Sequence, residues 1–305
     1  MVKKKLPHLL IVGGTGFIGY NLALSAKKKG WRVSSVSLNK PKKHRYVYGV
    51  NYLKIDITNY KDLKKKLKGS FTHVINLSGY VKHSVFKGTR NKIIETHFIG
   101  LINLTKIFLD KKIKKFIQIG SSSEYGDANA PQREDLYGFS NSSYALAKLA
   151  STKFLKMLYY TQKFPIIILR LFQVYGPKQD ENRVLPQIIK GCLSNKTFPV
   201  SHGNQVRDFC YIDDVINAIF LAFKCKKFNG EIFNIGSGQP RKIKNVIRKI
   251  IKIIGKGKVQ FGKIKYRKDE NLKLYPNLEK TRRKLKWKSK INFDRGIRIV
   301  INSLR

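Results

Sequence analysis

A glycine-rich turn near the start of the chain constrains the fold most strongly. The apolar run 9–12 is followed at once by Gly13-Gly14-Thr15-Gly16-Phe17-Ile18-Gly19. Glycines at these places permit a tight turn, let the backbone approach a pyrophosphate and let the next helix pack closely on the strand. A helix that begins at Phe17 would present its positive N-terminal end at the same point. This pattern predicts a dinucleotide-binding unit.

Short apolar runs then alternate with amphipathic segments, which indicates a doubly wound α/β fold with a parallel Rossmann sheet. The predicted strands are 9–12, 31–38, 52–55, 73–76, 116–119 and 166–169, and the predicted helices are 17–29, one opened by Thr58 or Asn59, 90–110 and 141–161. The pattern becomes less regular after Gly176-Pro177. We therefore expect a Rossmann domain over 1–175, with a later strand and helix near 205–238, and a smaller C-terminal substrate-binding lobe over 176–305.

The charge of the chain is extreme but evenly spread. Lysine and arginine number 63 against 18 acidic residues, a net charge of +45. Because the basic residues form no single block, a lysine-rich surface explains them better than a specific nucleic-acid site, and the charge would help to recruit an anionic substrate. The three cysteines have no metal-ligand or paired spacing, and no apolar run is long enough for a signal peptide or a membrane span. We expect a cytoplasmic protein without a metal site.

The end of the second strand bears on which dinucleotide is bound. A carboxylate there binds the 2′-hydroxyl of the adenosine ribose in NAD-binding proteins. This chain has Ser37, Asn39 and Lys40 instead. A hydroxyl group and cations suit a 2′-phosphate, so NADP(H) is favoured over NAD(H). Further along, Asp56 is placed to contact the adenine, or else to cap the following helix.

A tyrosine and a lysine four residues apart open the predicted helix 141–161. Tyr144 and Lys148 would share one helix face, so the ammonium group can lie near the phenol. A neighbouring positive charge favours the phenolate and thereby makes the tyrosine a more useful proton donor and acceptor. Such pairs also occur by chance on solvated helices.

Several motifs in order resemble one family. The glycine turn, the Ser121-Ser122-Ser123-Glu124-Tyr125-Gly126 loop, the Tyr144–Lys148 pair and the later runs 169–177, 207–215 and 234–238 are similar to the extended short-chain dehydrogenase/reductases, in their nucleotide-sugar epimerase/dehydratase branch. The resemblance covers nearly the whole chain. It implies that Tyr144 exchanges a proton with the sugar oxygen while Lys148 lowers its pKa and binds the nicotinamide ribose. It also implies cofactor contacts at Ile57 and Leu77.

The same resemblance implies a serine that hydrogen-bonds the reacting oxygen. Counting along the loop selects Ser123, with Ser122 as the alternative. Glu124 is expected to be catalytic, or else to neutralise a nearby lysine at the rim of the cleft. The loop has no acid pair of the kind that 4,6-dehydratases carry, and it looks more like the Ser-Ser-x-Glu-Tyr-Gly loop of 4-keto-sugar reductases.

The resemblance also assigns residues to a nucleoside-diphosphate sugar. The arginines, whose planar bidentate group suits phosphate, would hold the diphosphate. The implied substrate-binding residues are His83, Gln173, Asn182, Arg183, Arg207 and Arg267. Asp213 and Asp214 are expected to cap the helix 215–223, and His97 to be a packing residue. The two long helices 90–110 and 141–161 would form a homodimer.

The sequence therefore predicts an NAD(P)-dependent oxidoreductase of a nucleotide-activated sugar, acting in surface polysaccharide biosynthesis. Reduction of a 4-keto(-6-deoxy) sugar, or the reverse oxidation at C4, is favoured. A 4-epimerase of the same class is the first alternative, and a non-catalytic protein that binds a dinucleotide or nucleic acid is the second.

Overall fold

A computed structural model of the protein describes residues 6–79, 91–140, 142–266 and 270–305. Within these ranges the strands are β1 His8–Val12, β2 Arg32–Ser37, β3 Asn51–Lys54, β4 His73–Asn76, β5 Lys115–Ser121, β6 Ile166–Leu171, β7 Gln173–Tyr175, β8 Thr197–Pro199, β9 Val206–Tyr211, β10 Ile232–Ile235, β11 Pro240–Lys242, β12 Lys258–Gln260 and β13 Lys273–Leu274. The α-helices are α1 Phe17–Lys28, α2 Tyr60–Lys66, α3 Lys92–Ile94, α4 Gly100–Phe108, α5 Ser143–Gln162, α6 Val184–Leu193, α7 Ile212–Lys224, α8 Ile243–Ile254, α9 Glu279–Leu285 and α10 Phe293–Leu304.

The central sheet has the order β10-β6-β5-β4-β1-β2-β3. β1 pairs in parallel with β2 and with β4, and its register sets Leu9 opposite Val33 and opposite His73. Pairing in parallel requires crossover connections, and helices supply them on the faces of the sheet. The seven-stranded sheet confirms the predicted Rossmann fold.

The chain forms two compact units. Unit 1 comprises 1–126, 138–170 and 216–233, and unit 2 comprises 127–137, 171–215 and 234–305. The sequence predicted a boundary at 175, with a later strand and helix near 205–238 belonging to the Rossmann domain. The observed division differs because contacts between residues distant in the sequence determine the unit to which each segment belongs. The Gln132 side chain donates to the carbonyl of Lys273 and accepts from the amide of Tyr275, so the segment 127–137 belongs to unit 2.

Unit 1 is held by a continuous apolar core. Its buried residues come from the strands and from the inner faces of α2, α4 and α5, and they include Leu10, Val74, Leu104, Phe116 and Ile168. Each of these side chains is fully removed from water, which stabilises the fold by roughly 1.5–3 kcal/mol per side chain. The core fixes the strand ends at which the glycine turn and the serine loop lie.

The long helix predicted over 90–110 is interrupted. The structure has α3, then a π-helical segment at Glu95–Ile99, then α4. His97 lies in the π-helical segment and is buried, as expected of a packing residue. Helical turns of this wider kind often occur at functional sites.

Unit 2 contains a smaller sheet in which β9 pairs with β11, β13 and β7. Helix α10 packs on it through Phe293, whose ring centroid lies 5.5 Å from that of Tyr175. Asp214 was expected to cap a helix. It lies in the first turn of α7, and its carboxylate accepts the amides of Lys290 and Ile291, so it joins that helix to the segment before α10.

The described residues contain no helix both long and apolar enough to cross a bilayer.

Candidate active site

The glycine turn forms a close-packed cradle between β1 and α1. A Cβ atom on Gly13 would lie 2.9 Å from the carbonyl carbon and oxygen of Leu77, and one on Gly19 would lie 2.5 Å from the carbonyl oxygen of Gly13. The first helical hydrogen bond of α1 runs from the Tyr20 amide to the Gly16 carbonyl, 2.8 Å. The amides of Phe17, Ile18 and Gly19 precede this bond in the first turn of α1, where a helix leaves its amides without intrahelical acceptors and an anion binds best. The residues present fit the pyrophosphate of a dinucleotide.

A small pocket lies beside this turn at the end of β2. It has a volume of about 40 Å³ and is lined by Thr15, Ser35, Ser37, Asn39, Lys40, Tyr52, Leu53 and Lys54. The Thr15 amide donates to the Ser37 hydroxyl, 3.4 Å, which ties the turn to the strand end. The lining contains two lysines and no carboxylate. The structure thus brings Ser37, Asn39 and Lys40 together, as their position at the end of β2 suggested.

Asp56 has a local role in the structure. Its Oδ1 atom accepts from the amide of Thr58, 2.9 Å, and from the Thr58 hydroxyl, 2.7 Å. The N-cap of α2 is Asn59, whose side chain accepts from the amide of Asp62, so Asp56 does not cap that helix. The neighbouring Ile57 is buried, and its carbonyl accepts from Asn103.

The first turn of α5 carries the tyrosine and the lysine. Ser142 caps the helix by accepting from the Ala145 amide, 3.3 Å. Tyr144 is 6% exposed, and its ring lies edge-on to that of His97 with centroids 5.2 Å apart. Lys148 is also buried, and its Nζ atom donates to the carbonyl oxygen of Ile119 on β5, 2.8 Å. Burial lowers the pKa of Lys148 to about 8, while the negative charge of Glu124 acts to raise it.

The serine loop begins at the end of β5. The strand ends at Ser121, and residues 122–125 form a single turn of 3₁₀ helix. The Ser121 hydroxyl accepts from the Ser123 amide, 3.1 Å, and this leaves the hydroxyl hydrogen able to donate to another group. The observed strand ends at Ser121, two residues beyond the predicted end at 119, so Ser121 joins Ser123 and Ser122 as a candidate for the serine that meets the reacting oxygen. The sequence analysis had named Ser123 and Ser122 but not Ser121.

Glu124 is not placed to act on a substrate, which corrects its assignment as a catalytic residue. Its side chain is fully buried. One carboxylate oxygen accepts from the Ser121 amide, and the other accepts from the Thr152 hydroxyl and from Nε of Arg170. Nor does Glu124 lie at a rim beside a surface lysine, since its ionic partner is the equally buried Arg170.

The predicted substrate-binding residues within the described ranges lie in unit 2. Arg207 is buried on β9, where its guanidinium donates to the carbonyl of Val206 and forms an ion pair with Glu270. Gln173 is exposed at the start of β7. Asn182 is exposed, and Arg183 is the N-cap residue of α6. His83 and Arg267 lie outside the described residues.

Asp208 is a structural residue of this region that the sequence analysis did not single out. It is fully buried, and its carboxylate accepts from the amides of Ser237, Gly238 and Gln239 and from the Ser237 hydroxyl. Burial raises the pKa of Asp208, and these hydrogen bonds oppose the rise. The signal available in the sequence was that Asp208 and the Gly236-Ser237-Gly238 turn lie in two of the runs that resemble the family, 207–215 and 234–238.

Across 6–79, 91–140, 142–266 and 270–305, no cluster of three or more His, Cys, Asp and Glu side chains is arranged to hold a metal ion.

Comparison with known proteins identifies the family. The sequence model of the NAD dependent epimerase/dehydratase family matches residues 9–236. The chain is 32% identical to a UDP-N-acetyl-alpha-D-glucosaminuronate decarboxylase of Bacillus cytotoxicus, over 79% of this chain and 78% of the relative. It is 26% identical to CDP-abequose synthase of Salmonella muenchen, over 99% and 98% of the two chains.

A solved structure agrees with these relatives. The UDP-glucuronic acid 4-epimerase from Bacillus cereus, in complex with UDP-glucuronic acid and NAD, superposes with a TM-score of 0.86. It is 26% identical in sequence, and the match covers 97% of this chain and 98% of that one. The cradle between β1 and α1, the Tyr144–Lys148 turn and the family match over most of the chain lead to one conclusion. The protein belongs to the NAD dependent epimerase/dehydratase family and is an enzyme of that class.

Proposed function

We propose that the enzyme reduces a 4-keto(-6-deoxy) sugar carried on a nucleoside diphosphate, or oxidises C4 in the reverse direction, in surface polysaccharide biosynthesis. One observation carries the proposal: the loop 121–126 offers hydroxyl groups at the end of β5, and its carboxylate, Glu124, is buried and bound by protein donors. Elimination of water across C5 and C6 needs a general acid and base beyond the tyrosine. A loop that presents serines alone suits proton transfer at a single oxygen.

The chain's own groups supply that proton transfer. Tyr144 donates a proton to the ketone oxygen during reduction and accepts one from the C4 hydroxyl during oxidation. Lys148, when charged, stabilises the phenolate of Tyr144. Ser121 donates a hydrogen bond to the reacting oxygen and so favours the charge that develops there. The dinucleotide, when bound in the cradle, supplies the reductant or oxidant for the sugar carbon.

The substrate proposal extends to unit 2. The Arg207 guanidinium, oriented by Glu270, binds the diphosphate, and Arg267 provides a second positive group. Gln173, Asn182 and Arg183 contact the nucleotide and its sugar, and His83 a sugar hydroxyl. The similarity to CDP-abequose synthase over nearly the whole length of both chains supports a nucleotide sugar as the substrate.

For the cofactor, we propose a preference for NADP(H) over NAD(H). The pocket at the end of β2 is lined by Lys40 and Lys54 and by the hydroxyls of Ser35 and Ser37. These groups favour a 2′-phosphate on the adenosine ribose, whereas the carboxylate typical of NAD-binding proteins is not among the lining residues.

We also propose a cytoplasmic homodimer. Leu146, Met157 and Tyr160 expose apolar surface along α5, with 52%, 44% and 63% of each residue accessible. Such a row on a long helix is typical of a protein interface. Cys192, Cys210 and Cys225 are free thiols, in keeping with a reducing compartment.

The decisive experiment is a substrate panel. The purified enzyme is incubated with 4-keto sugars and with the parent sugars linked to GDP, CDP, dTDP and UDP, with NADH and NADPH in separate reactions. The proposal expects loss of reduced-nicotinamide absorbance with at least one 4-keto sugar. If every member leaves both the absorbance and the sugar stereochemistry unchanged, the proposed reaction is wrong.

A 4-epimerase is the second candidate, because the Bacillus cereus structure that superposes on this chain is a 4-epimerase. An epimerase passes through a transient ketone and keeps its dinucleotide bound from one turnover to the next. The purified protein would then carry the dinucleotide without exchanging it, whereas a reductase exchanges it freely. Gel filtration followed by absorbance of the denatured supernatant separates the two activities.

A further inference from the structure

Glu124 links three elements below the serine loop. Its Oε1 atom accepts from the Ser121 amide at the end of β5, 2.7 Å. Its Oε2 atom accepts from the Thr152 hydroxyl on α5, 2.7 Å, and from Nε of Arg170 on β6, 2.9 Å. The side chains of Glu124 and Arg170 are both fully inaccessible to water. A buried carboxylate with three protein donors has one preferred orientation, so it fixes the elements it contacts.

The surroundings of Glu124 are shaped to this carboxylate. The guanidinium carbon of Arg170 lies 4.6 Å from the centre of the Tyr125 ring, which covers the cation. Gly120 leaves the space that the pair needs, because a Cβ atom there would contact the Glu124 carboxylate and lie 3.1 Å from Cγ of Arg170. Burial is the largest single influence and acts to lower the pKa of Arg170, but the charges and hydrogen bonds of Glu124 and Tyr125 together outweigh it, so the pKa lies above its usual range.

The carboxylate lies next to the groups of the proposed reaction. Thr152 follows Lys148 by four residues on α5, so the two side chains lie on the same face of the helix. Lys148 in turn contacts the carbonyl of Ile119, two residues before Ser121 on β5. Glu124 therefore contacts both the strand and the helix that Lys148 joins. Its negative charge also opposes the desolvation of the Lys148 ammonium.

We propose that Glu124 is a positioning residue of this enzyme, which holds the Ser121 end of β5 against α5 and keeps Lys148 charged in its buried place. The proposal rests on the proposed roles of Tyr144 and Lys148. Glu124 itself touches neither substrate nor dinucleotide and acts through Ser121 and Lys148.

Other titratable groups occur on the elements packed against this part of α5. They are Lys92 on α3, Glu95 and His97 in the π-helical segment, Lys115 on β5, Tyr125 beside Glu124, and Tyr144 on α5 itself. These groups are the same in every variant described below, so differences between variants report the loss of the Glu124 charge.

The test compares Glu124→Gln with Thr152→Val. The first variant removes the negative charge in a side chain of nearly equal shape, and the second removes one donor to the carboxylate while the charge stays. The folded pKa of Lys148 is about 8, below its usual value of 10.5, so unfolding takes up a proton between these pH values and stability rises with pH across that window. In Glu124→Gln we expect the rise to begin about one pH unit lower. In Thr152→Val we expect it to begin where it does in the wild type.

This stability measurement needs no substrate, so it remains informative if the proposed reaction is wrong. With an active substrate in hand, the alkaline limb of the kcat–pH profile of Glu124→Gln should move down by the same interval, about one pH unit, while the KM for the nucleotide sugar stays within about twofold. If Glu124 served packing alone, both variants would lose the same amount of stability at every pH, and the limbs of their kcat–pH profiles would not shift. That result would overturn the proposal.

A double variant covers the case in which Glu124→Gln does not fold. Glu124→Gln with Arg170→Met removes both buried charges, and a buried ion pair replaced in this way often leaves stability nearly unchanged. The proposal expects the lower onset of the pH-dependent rise to persist in the double variant, since Lys148 still lacks its negative neighbour. Recovery of the wild-type onset would contradict it.

Discussion

The ammonium nitrogen of Lys148 lies 2.8 Å from the carbonyl oxygen of Ile119, so the start of α5 is joined directly to the end of β5. This contact brings the helix that carries Tyr144 to the strand that carries Ser121. The two hydroxyl-bearing residues of the proposed reaction therefore depend on one lysine for their relative position as well as for its charge.

Tyr144→Phe should reduce kcat by ~10²–10⁴-fold, because it removes the group that transfers the proton. The phenyl ring can still pack edge-on against His97, so the thermal unfolding midpoint and the affinity for the dinucleotide should change little. Activity on the substrate found by the panel, together with calorimetry, measures both effects. Activity within a few-fold of the wild type would exclude Tyr144 as the proton donor.

Ser121→Ala should reduce kcat by about 10²-fold, since Ser121 is the serine at the observed strand end. Ser123→Ala should reduce kcat less. Ser123 contributes its backbone amide to the Ser121 hydroxyl, and that amide is retained in the alanine variant. Steady-state kinetics of the two variants under identical conditions decides between them. If Ser123→Ala is the more damaging change, Ser123 is the serine that meets the reacting oxygen, as the sequence predicts.

Gly19→Ala should abolish dinucleotide binding, whereas Gly16→Ala should leave the turn intact. A Cβ atom on Gly19 meets the Gly13 carbonyl oxygen at 2.5 Å, while on Gly16 the nearest such contact is 3.4 Å. Gly16 also has a φ of −76°, which alanine adopts readily. Titration of each variant with NADH and NADPH, followed by fluorescence, measures the loss. Equal binding by the two variants would show that the cradle tolerates the close contact.

Lys40→Glu should weaken NADPH binding by about ten- to a hundredfold with little effect on NADH, because a charge-assisted contact to the 2′-phosphate is worth ~1.5–3 kcal/mol. Lys42→Glu is the matched control: it makes the same change of charge two residues away, at an exposed position outside the lining of the β2 pocket. The ratio of the two dissociation constants is the readout. A ratio unchanged by Lys40→Glu, or changed equally by the control, argues for NAD(H).

Acid should destabilise unit 1 through His73. Burial lowers the pKa of His73 to about 4, with the charges of Lys114 and Lys115 acting in the same direction. The unfolded chain then binds a proton that the folded chain does not, so stability is lost as the pH falls from 6.5 towards about 4.

We expect this loss to reach about 2 kcal/mol once partial hydration of the ring is allowed for. His73→Phe can keep the aromatic packing against Trp31 and Phe223 and should remove this part of the acid sensitivity. Denaturant unfolding of both proteins at a series of pH values gives the difference. Parallel curves would show that His73 does not contribute.

The parts of the fold that depend on residues close together in the sequence could be predicted from it. The glycine turn, the strand 73–76 and the start of the helix at Phe17 follow from local patterns, and the structure has each of them. The Rossmann fold is confirmed for the same reason, because turn glycines and strand periodicity are visible within a few residues. The enzyme class was predicted from the resemblance of ordered motifs along the chain, and the family match over residues 9–236 confirms it.

What could not be predicted depends on contacts between distant parts of the chain. Glu124 accepts a hydrogen bond from Arg170, which lies 46 residues further along the chain, and no pattern in the sequence indicates that the two residues pair. The extra residues of β5 that bring the strand end to Ser121 depend on pairing with neighbouring strands rather than on local propensity. The role predicted for Glu124, a catalytic residue, therefore differs from the one that the buried polar network indicates, which is structural.

The division into units has a consequence for how the chain folds during its synthesis. The chain passes between the units at 126/127, 137/138, 170/171, 215/216 and 233/234. Neither unit is a continuous piece of polypeptide. In unit 2, for example, the Gln132 side chain forms hydrogen bonds with the backbone of Lys273 and of Tyr275. During synthesis, the segment 127–137 must wait for almost the entire chain to leave the ribosome before it finds its partners. A fragment that ends at residue 170 would lack the last strand of the central sheet, so we expect that only the nearly complete chain yields a folded product.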